Sequence, residues 1–136
     1  MIKYLLDTNI VIFTIKRRPE SLLPKFNQHA SQLAISTITL AELIFGAEKS
    51  SNPEKNLATV EDFTSRLTVL PYDEQAAFHY GNIRAVLEKQ GKRIGDNDLH
   101  IAGHARSKGL IVVTNNTREF NRVDGLRVED WTIELY

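Results

Sequence analysis

Three carboxylates lie beside short apolar segments at distant points of the chain, and two further polar residues follow the last of these segments. The carboxylates are Asp7, Glu42 and Asp98, and the other two residues are Thr114 and Asn116. If the apolar segments are neighbouring strands of a parallel sheet, these side chains meet beyond the carboxyl ends of the strands, where ligands of such sheets bind. The sequence therefore predicts one site built from separated segments.

Carboxylates gathered in one cleft favour the binding of a cation. They repel one another and resist burial unless a positive charge neutralises them. Their oxygen atoms prefer hard ions, so Mg²⁺ or Mn²⁺ is the expected cofactor. Such an ion binds phosphate oxygens, activates a water molecule and stabilises a leaving oxygen, so the pattern predicts hydrolysis of phosphodiester bonds.

Each of these residues also has a purely structural interpretation. Asp7 could cap a helix, and Glu42 could lie on an exposed helix face. Asp98 could complement the dipole at a helix N-terminus together with Asp96. Asn116 is a common turn residue. The site is therefore predicted from the combination of these residues and not from any one of them.

The distribution of charge is compatible with a partner that carries phosphates. The 136-residue chain has a formal net charge of zero, which mildly disfavours a nucleic-acid binder. Between residues 79 and 110, however, six lysines and arginines stand against three acids. This segment could form a phosphate-binding rim or simply a solvated helix face. The candidate contacts to a nucleic-acid backbone are Arg84, Lys92, Arg93 and Arg118.

The composition excludes some classes of site and favours a cytoplasmic protein. The chain has no cysteine, so disulfide bonds and thiolate zinc sites are excluded. His100 and His104 lie four residues apart on a predicted helix and could face one metal, but no nearby residues complete a zinc site. The acid Asp7 comes too early for a signal peptide, and no apolar run approaches the roughly 20 residues that cross a membrane.

Short apolar segments alternate with helical patterns along the whole chain. The apolar segments are residues 2–6, 33–35, 68–70 and 110–113, with a weaker one at 126–128. The segment 110–113 shows no polar alternation, which is typical of a strand buried on both faces. We therefore expect an α/β protein with three α/β/α layers, a central parallel sheet, and a single domain over residues 1–136.

Several residues are expected to begin or end the helices. Asp7, Asp73 and either Ser36 or Thr37 have the side chains of helix N-caps. Gly109 suits a C-terminal cap, because glycine readily adopts the left-handed conformation found there. These expectations place Asp7 at a helix start directly after a strand.

Apolar residues in the first half of the chain exceed what one small helix pair obviously buries. They are Ile10, Ile12, Phe13, Ile15, Leu22, Leu23, Phe26, Leu40, Leu43, Ile44 and Phe45. Some could line a groove for a partner protein or a second copy of the chain, although most are expected in the core.

Five segments of the chain, in this order, resemble the motifs of PIN domains. They are residues 5–9, 36–46, 94–102, 113–120 and 125–131. The first reads LLDTN, the second begins STITLAEL, and the third reads IGDNDLHIA. The resemblance spans nearly the whole chain and is closest to the VapC toxins of type II toxin–antitoxin systems, and it implies a PIN-like α/β/α fold.

The resemblance also implies an activity and a set of partners. It implies a Mg²⁺- or Mn²⁺-dependent endoribonuclease that cleaves RNA and blocks translation. The expected substrate is tRNA, with initiator tRNA cut in its anticodon region as the more specific expectation. A homodimer, and inhibition by a cognate VapB antitoxin whose C-terminal segment covers the cleft, are implied as well.

The metal-site acids that the resemblance implies are Asp7, Glu42 and Asp98. Asp98 is preferred to Asp96 because the acid of the family stands three residues before an Ile-Ala pair, here Ile101 and Ala102. Asp96 is instead expected to cap the helix.

The fourth motif departs from the wider PIN pattern. Many members carry an aspartate where this chain has Asn116, and Glu119, three residues later, could act as a ligand in its place. This departure argues against a second tightly held ion, so one ion is expected in the absence of substrate.

In the mechanism expected from these residues, Asp7 and Asp98 anchor the ion and Glu42 orients the attacking water. Thr114 and Asn116 position the scissile phosphate or a metal-bound water. The reaction leaves a 5′-phosphate and a 3′-hydroxyl.

Two alternative functions remain open from the residues alone. One is a phosphotransfer domain, either a haloacid-dehalogenase-type phosphatase or a response-regulator receiver. The phosphatase would need a second aspartate where this chain has Asn9, and a receiver would need a late lysine near Asn115. The other is a non-catalytic RNA- or protein-binding module, which would not need the acids.

Overall fold

Five short parallel strands form one sheet in the computed structural model, which describes residues 1–133. The strands are β1 (Tyr4–Leu6), β2 (Leu33–Ser36), β3 (Thr68–Leu70), β4 (Ile111–Val113) and β5 (Val128–Glu129). Their order is β3-β2-β1-β4-β5, so the direction in which the chain adds strands reverses between β1 and β4. Ligand sites of parallel sheets form at such a reversal, beyond the carboxyl ends of the strands.

Seven α-helices are present in the described part of the chain. They are α1 (Thr8–Lys16), α2 (Leu22–Gln28), α3 (Thr37–Glu48), α4 (Pro53–Thr64), α5 (Glu74–Lys89), α6 (Asp96–Lys108) and α7 (Thr117–Phe120). None of the helices is long and apolar enough to span a membrane, as judged over the described residues.

The helices cover both faces of the sheet, as the sequence predicted. On one face, buried residues from α1 to α4 pack against Tyr4 and Leu6 of β1. On the other face, buried residues from α5, α6 and α7 pack against Leu5. All three residues of β4 are buried, which agrees with the missing polar alternation in that segment. The α/β/α architecture with a central parallel sheet is therefore confirmed.

Most of the predicted helix caps are confirmed. The Asp7 and Asp73 side chains accept hydrogen bonds from the third residue of their helices, and Ser36, not Thr37, caps α3. Gly109 ends α6 in the left-handed conformation with φ of 67°.

The expected cap at Asp96 is wrong. The N-cap of α6 is Gly95, and Asp96 is the first residue of the helix, where it forms an exposed salt bridge with Arg93. An acid in the first turn still interacts favourably with the helix dipole without bonding to a backbone N–H group.

Helices α5 and α6 approach each other closely at Gly103. A Cβ atom at this position would lie 2.8 Å from the backbone nitrogen and 3.0 Å from the Cα of Tyr80. Real Cβ atoms do not come so close to a backbone, so only glycine fits without moving a helix. This contact fixes the position of the helix that carries Asp98.

Candidate active site

Asp7 lies at the point where the strand order reverses. It follows β1 directly, and one carboxylate oxygen caps α1 by accepting a hydrogen bond from the Ile10 backbone N–H, with a donor–acceptor distance of 2.9 Å. The other oxygen accepts a short hydrogen bond from the Thr114 hydroxyl, which follows β4. Because β1 and β4 are neighbours, the two side chains meet although they are 107 residues apart.

A second set of hydrogen bonds joins Thr114 to Asp98. The Asn116 backbone N–H donates to the Thr114 hydroxyl oxygen at 2.9 Å. The Asn116 side-chain amide donates to Asp98 at 3.0 Å and to Glu119 at 2.7 Å. Asn116 therefore bridges two carboxylates and serves as the donor between them.

Glu42 is held by residues adjacent to the other two acids. One of its oxygens accepts a hydrogen bond from the Thr8 hydroxyl at 2.7 Å, and the other accepts from the Asn97 side-chain amide at 2.7 Å. Asp7, Glu42 and Asp98 all line one cleft of about 820 Å³. The sequence prediction that these three acids converge is supported by this geometry.

The surroundings of these acids disfavour their charged forms to different degrees. Burial raises the pKa of Asp7, which is only 4% exposed, and the charge of Glu42 adds to this effect. Burial raises the pKa of Asp98 to about 6, with further contributions from the charges of Glu119 and Asp7. In contrast, hydrogen bonds from Asn116 and Gly95 lower the pKa of Glu119.

The acids of the site form no salt bridge within the described residues. The salt bridges found there join Arg66 to Asp62, Arg84 to Glu88, Arg93 to Asp96 and Lys108 to Asp73. Asp7, Glu42, Asp98 and Glu119 take part in none of them. The cleft therefore holds several carboxylates whose oxygens are satisfied only by neutral donors.

The donor set of the cleft fits a hard divalent ion. The acids and their hydrogen-bond partners supply carboxylate, hydroxyl and amide oxygens, which are the ligands that Mg²⁺ and Mn²⁺ prefer. Within residues 1–133, no three His, Cys, Asp or Glu side chains already stand in a ready-made metal cage. Thr114 and Asn116 lie between the acids instead, so the residues fit an ion that keeps part of its water shell, as Mg²⁺ usually does.

Several residues of the cleft were not singled out from the sequence. Thr8, Asn97 and Lys49 all line it, as does His100, which the sequence singled out only as a possible zinc ligand. Thr8 and Asn97 each adjoin a predicted acid, so their position next to Asp7 and Asp98 was an available signal. Lys49 had no such signal in the sequence, because it is brought to the cleft only by its place at the end of α3.

The four predicted nucleic-acid contacts lie outside the cleft lining. Arg84 is paired with Glu88 and also donates to the Tyr80 hydroxyl. Arg93 is paired with Asp96. Lys92 and Arg118 are exposed. Their roles remain predictions.

His100 and His104 have different partners and do not share a metal site within the described residues. The His100 Nδ1 atom lies 2.9 Å from the Tyr72 hydroxyl oxygen, and the His104 Nδ1 atom lies 2.8 Å from the Ser36 hydroxyl oxygen. Burial lowers the pKa of both imidazoles.

An apolar pocket of about 360 Å³ adjoins the acidic cleft. It lies between α1, α3 and α4, and the two cavities share Ile12, Glu42 and Gly46. Of the apolar residues expected in a groove or in the core, most are buried or packed against the core, whereas Phe45 is 65% exposed at the rim of the cleft.

The chain was compared with known protein families and curated proteins. The family model of the PIN domain matches residues 4–126. Ribonuclease VapC2 of Haemophilus influenzae is 62% identical over 131 residues, covering 96% of this chain and 99% of that protein. The tRNA(fMet)-specific endonuclease VapC of Shigella flexneri is 60% identical over 132 residues, covering 97% of this chain and 100% of that protein.

Solved structures with the same fold include VapBC complexes. A DNA-bound VapBC structure from Salmonella typhimurium matches with a TM-score of 0.92 and 60% identity, covering 96% of this chain and 99% of the matched one. VapBC2 from Rickettsia felis, bound to a promoter DNA fragment, matches with a TM-score of 0.89 and 40% identity, with the same coverage of 96% and 99%. The matched family model and the high identity over almost the full length show that this chain belongs to the PIN-domain family and, within it, to the VapC ribonucleases.

Proposed function

We propose that this chain is the toxin of a VapBC-type toxin–antitoxin system, a Mg²⁺- or Mn²⁺-dependent endoribonuclease that cleaves initiator tRNA in the anticodon region and so inhibits translation in the cytoplasm. The observation that carries the metal-dependent activity is the convergence of Asp7, Glu42 and Asp98 on one cleft, where none of the three forms a salt bridge with another of the described residues. The substrate is proposed because a relative with 60% identity is named a tRNA(fMet)-specific endonuclease.

Asp7 and Asp98 would hold the ion, directly or through water. When bound, the ion would supply neutralisation of the phosphate charge and a water molecule activated for attack. Glu42 has both oxygens fixed by Thr8 and Asn97, so it can orient the attacking water from a defined position.

Thr114 and Asn116 complete the arrangement of the reacting groups. Thr114 fixes one oxygen of Asp7, and the Asn116 side-chain amide donates a hydrogen bond to both Asp98 and Glu119. Glu119 is the additional candidate ligand in this arrangement. Attack of water on phosphorus breaks the bond to the 3′ oxygen, which takes up a proton, and leaves a 5′-phosphate.

The proposed partners are a cognate VapB-type antitoxin and a second copy of the chain. The similar structures from Salmonella typhimurium and Rickettsia felis are VapBC complexes. The apolar pocket next to the acidic cleft, together with exposed Phe45, offers apolar surface that a partner segment could cover.

The test of the nuclease site is the variant Asp7→Asn. Asparagine caps helices about as well as aspartate, so the fold is retained while one negative charge is lost. We expect cleavage of initiator tRNA in Mg²⁺ to fall at least ~100-fold, because this acid would hold the ion. The matched control is Asp73→Asn, since Asp73 caps α5 in the same way outside the cleft lining.

Separate outcomes bear on the separate parts of the proposal. A folded Asp7→Asn protein that cuts RNA at the parental rate would show that the site is assigned incorrectly. Equal cleavage of initiator and elongator tRNAs would contradict the substrate and leave the nuclease intact. Undiminished cleavage in EDTA would contradict the requirement for a divalent ion.

A further inference from the structure

His100 is attached to the wall of the acidic cleft by contacts on three sides. It lies on α6 and lines the cleft with Asp98. Its Nδ1 atom pairs with the Tyr72 hydroxyl at 2.9 Å. Tyr72 is itself anchored, because its backbone N–H donates to the Thr37 hydroxyl oxygen at 3.1 Å.

Two aromatic rings fix the plane of the His100 imidazole. The Tyr80 ring stacks on it with a centroid distance of 4.2 Å and an interplanar angle of 4°. The Tyr72 ring meets it edge-on at 5.2 Å and 77°. The imidazole therefore has little freedom to rotate, and the direction of its free nitrogen is fixed.

That free nitrogen is Nε2. It has no hydrogen-bond partner among the described residues, yet it is not one of the buried polar atoms that lack a partner. Nε2 is therefore accessible to solvent, and the residue that carries it lines the cleft. His104, one turn further along α6, is different: it is 0% exposed, and its Nε2 is buried without a partner.

The Tyr72 hydroxyl can set which imidazole nitrogen carries the proton. Burial raises the pKa of Tyr72 to about 12, so the phenol keeps its proton and can donate to Nδ1. When Nδ1 accepts, the proton of a neutral imidazole is on Nε2. The nitrogen that faces the cleft is then a hydrogen-bond donor.

A donor at this position adds to the groups of the cleft that can bind a phosphate. The acids present oxygen atoms that repel a phosphate, and the lysine that lines the cleft, Lys49, is at the end of α3 and not on α6. A neutral donor beside Asp98 can bind a phosphate oxygen without pairing with the carboxylates that the ion needs.

Resting on the proposed nuclease function, we propose that His100 binds the RNA substrate, with Nε2–H donating to a phosphate oxygen next to the scissile bond. Tyr72 is the positioning residue that holds the imidazole in the donating tautomer. The Tyr80 ring supports the imidazole by stacking on one of its faces.

Two substitutions at His100 separate the roles of its nitrogens. In His100→Gln, the side-chain amide nitrogen reaches approximately the position of Nε2 and can still donate to RNA. In His100→Asn, the amide reaches only the position of Nδ1 and can still meet Tyr72. We expect KM for the tRNA to rise at least ~10-fold in His100→Asn and less than ~3-fold in His100→Gln, with kcat within ~3-fold of the parent in both.

A pair of tyrosine variants tests the positioning role. Tyr72→Phe removes the hydroxyl that orients His100, and we expect KM to rise about 5-fold. Tyr80→Phe removes a hydroxyl that bonds to Arg84 and keeps the stacked ring, so we expect a change below about 2-fold.

Two binding measurements distinguish this inference from a purely structural role and from failure of the proposed function. Mn²⁺ alone should bind His100→Asn as tightly as it binds the parent, and loss of Mn²⁺ binding would overturn the inference. RNA affinity is also measured in Asp7→Asn protein, where cleavage plays no part. Adding His100→Asn there should weaken RNA binding at least ~10-fold, and an unchanged affinity would overturn the inference whether or not the parent cuts tRNA.

Discussion

Asp98 is the residue whose ionised form is least well accommodated by its surroundings. It is partly buried, lies near three other carboxylates, and receives one hydrogen bond from a neutral amide. Its pKa of about 6 means that folding must tolerate an unfavourable negative charge at neutral pH. A cation bound at this position would stabilise the charged carboxylate, whereas without a cation the charge destabilises the fold.

We therefore expect Asp98→Asn to raise the free energy of unfolding at pH 7.5 in EDTA by about 1 kcal/mol, a value that allows for solvent screening of a half-buried group. The folded-state pKa lies above the unfolded value, so the cost of the charge is present above about pH 6 and disappears as Asp98 becomes protonated. The increase in the free energy of unfolding caused by Asp98→Asn should become smaller as the pH falls from 7.5 to 5. Urea denaturation at several pH values measures it.

Asp96→Asn is the matched control for this measurement. Asp96 is exposed, begins the same helix and pairs with Arg93. Its loss should slightly lower stability at pH 7.5, since a favourable interaction with the helix dipole is removed. A gain for Asp96→Asn as large as that for Asp98→Asn would contradict the explanation by local repulsion.

At the scale of elements, the contact between α5 and α6 depends on Gly103. A side chain there would press on the backbone of Tyr80 and on the carbonyl oxygen of Ala76, 3.1 Å from the added atom. Neither is the end of a flexible side chain, so the helices themselves must separate. The same contact holds Tyr80 against His100.

We expect Gly103→Ala to lower the free energy of unfolding by about 2 kcal/mol, as overpacking of a tight helix contact does. Gly81→Ala is the control, because Gly81 lies within α5 with no atom near its added Cβ. That change should stabilise the protein by about 0.5 to 1 kcal/mol through helix propensity. Thermal unfolding monitored by circular dichroism compares the two, and equal effects would refute the packing argument.

Individual elements were predicted from the sequence to different degrees. Local patterns that need no tertiary information predict the cap at Asp7, the cap at Ser36 or Thr37, the buried strand ending at Val113 and the end of α6 at Gly109. The helical spacing of Leu57, Val60, Phe63 and Leu67 predicts a helix that reaches residue 67, but α4 ends at Thr64. The pairing of Tyr72 with His100 joins a residue in the loop after β3 to a residue on α6, 28 positions away, so no local pattern could predict it.

At the scale of the whole molecule, strand order decides which side chains meet. The sequence predicts that polar groups follow the strands, but not that β1 and β4 are neighbours. That order results from how helices pack on each face, and it places the Asp7 carboxylate against Thr114. The resemblance to PIN domains implies an α/β/α fold with a central parallel sheet but gives no strand order, which only the structure supplies.

Metal binding should be coupled to the stability of the whole fold. A ligand that binds only the folded state stabilises it, by about 2.7 kcal/mol at a concentration of 100 times Kd. We expect Mn²⁺ to raise the melting temperature of the parent and of Asp96→Asn, and to raise that of Asp7→Asn and Asp98→Asn much less. Differential scanning fluorimetry measures this, and equal shifts in all four proteins would place the ion outside the cleft.

The double role of Asp7, as helix cap and as cleft carboxylate, has a genetic consequence. Asparagine can accept the same capping hydrogen bond from Ile10. The substitution Asp7→Asn should therefore leave the outer surface of the molecule unaltered while it abolishes the activity of the cleft. Such a protein would be a decoy: it would accumulate in folded form, occupy the same partners as working copies, and draw an inhibitor away from them. Selection against the toxic activity would then favour this substitution, whereas selection for continued inhibition of the working toxin would oppose it.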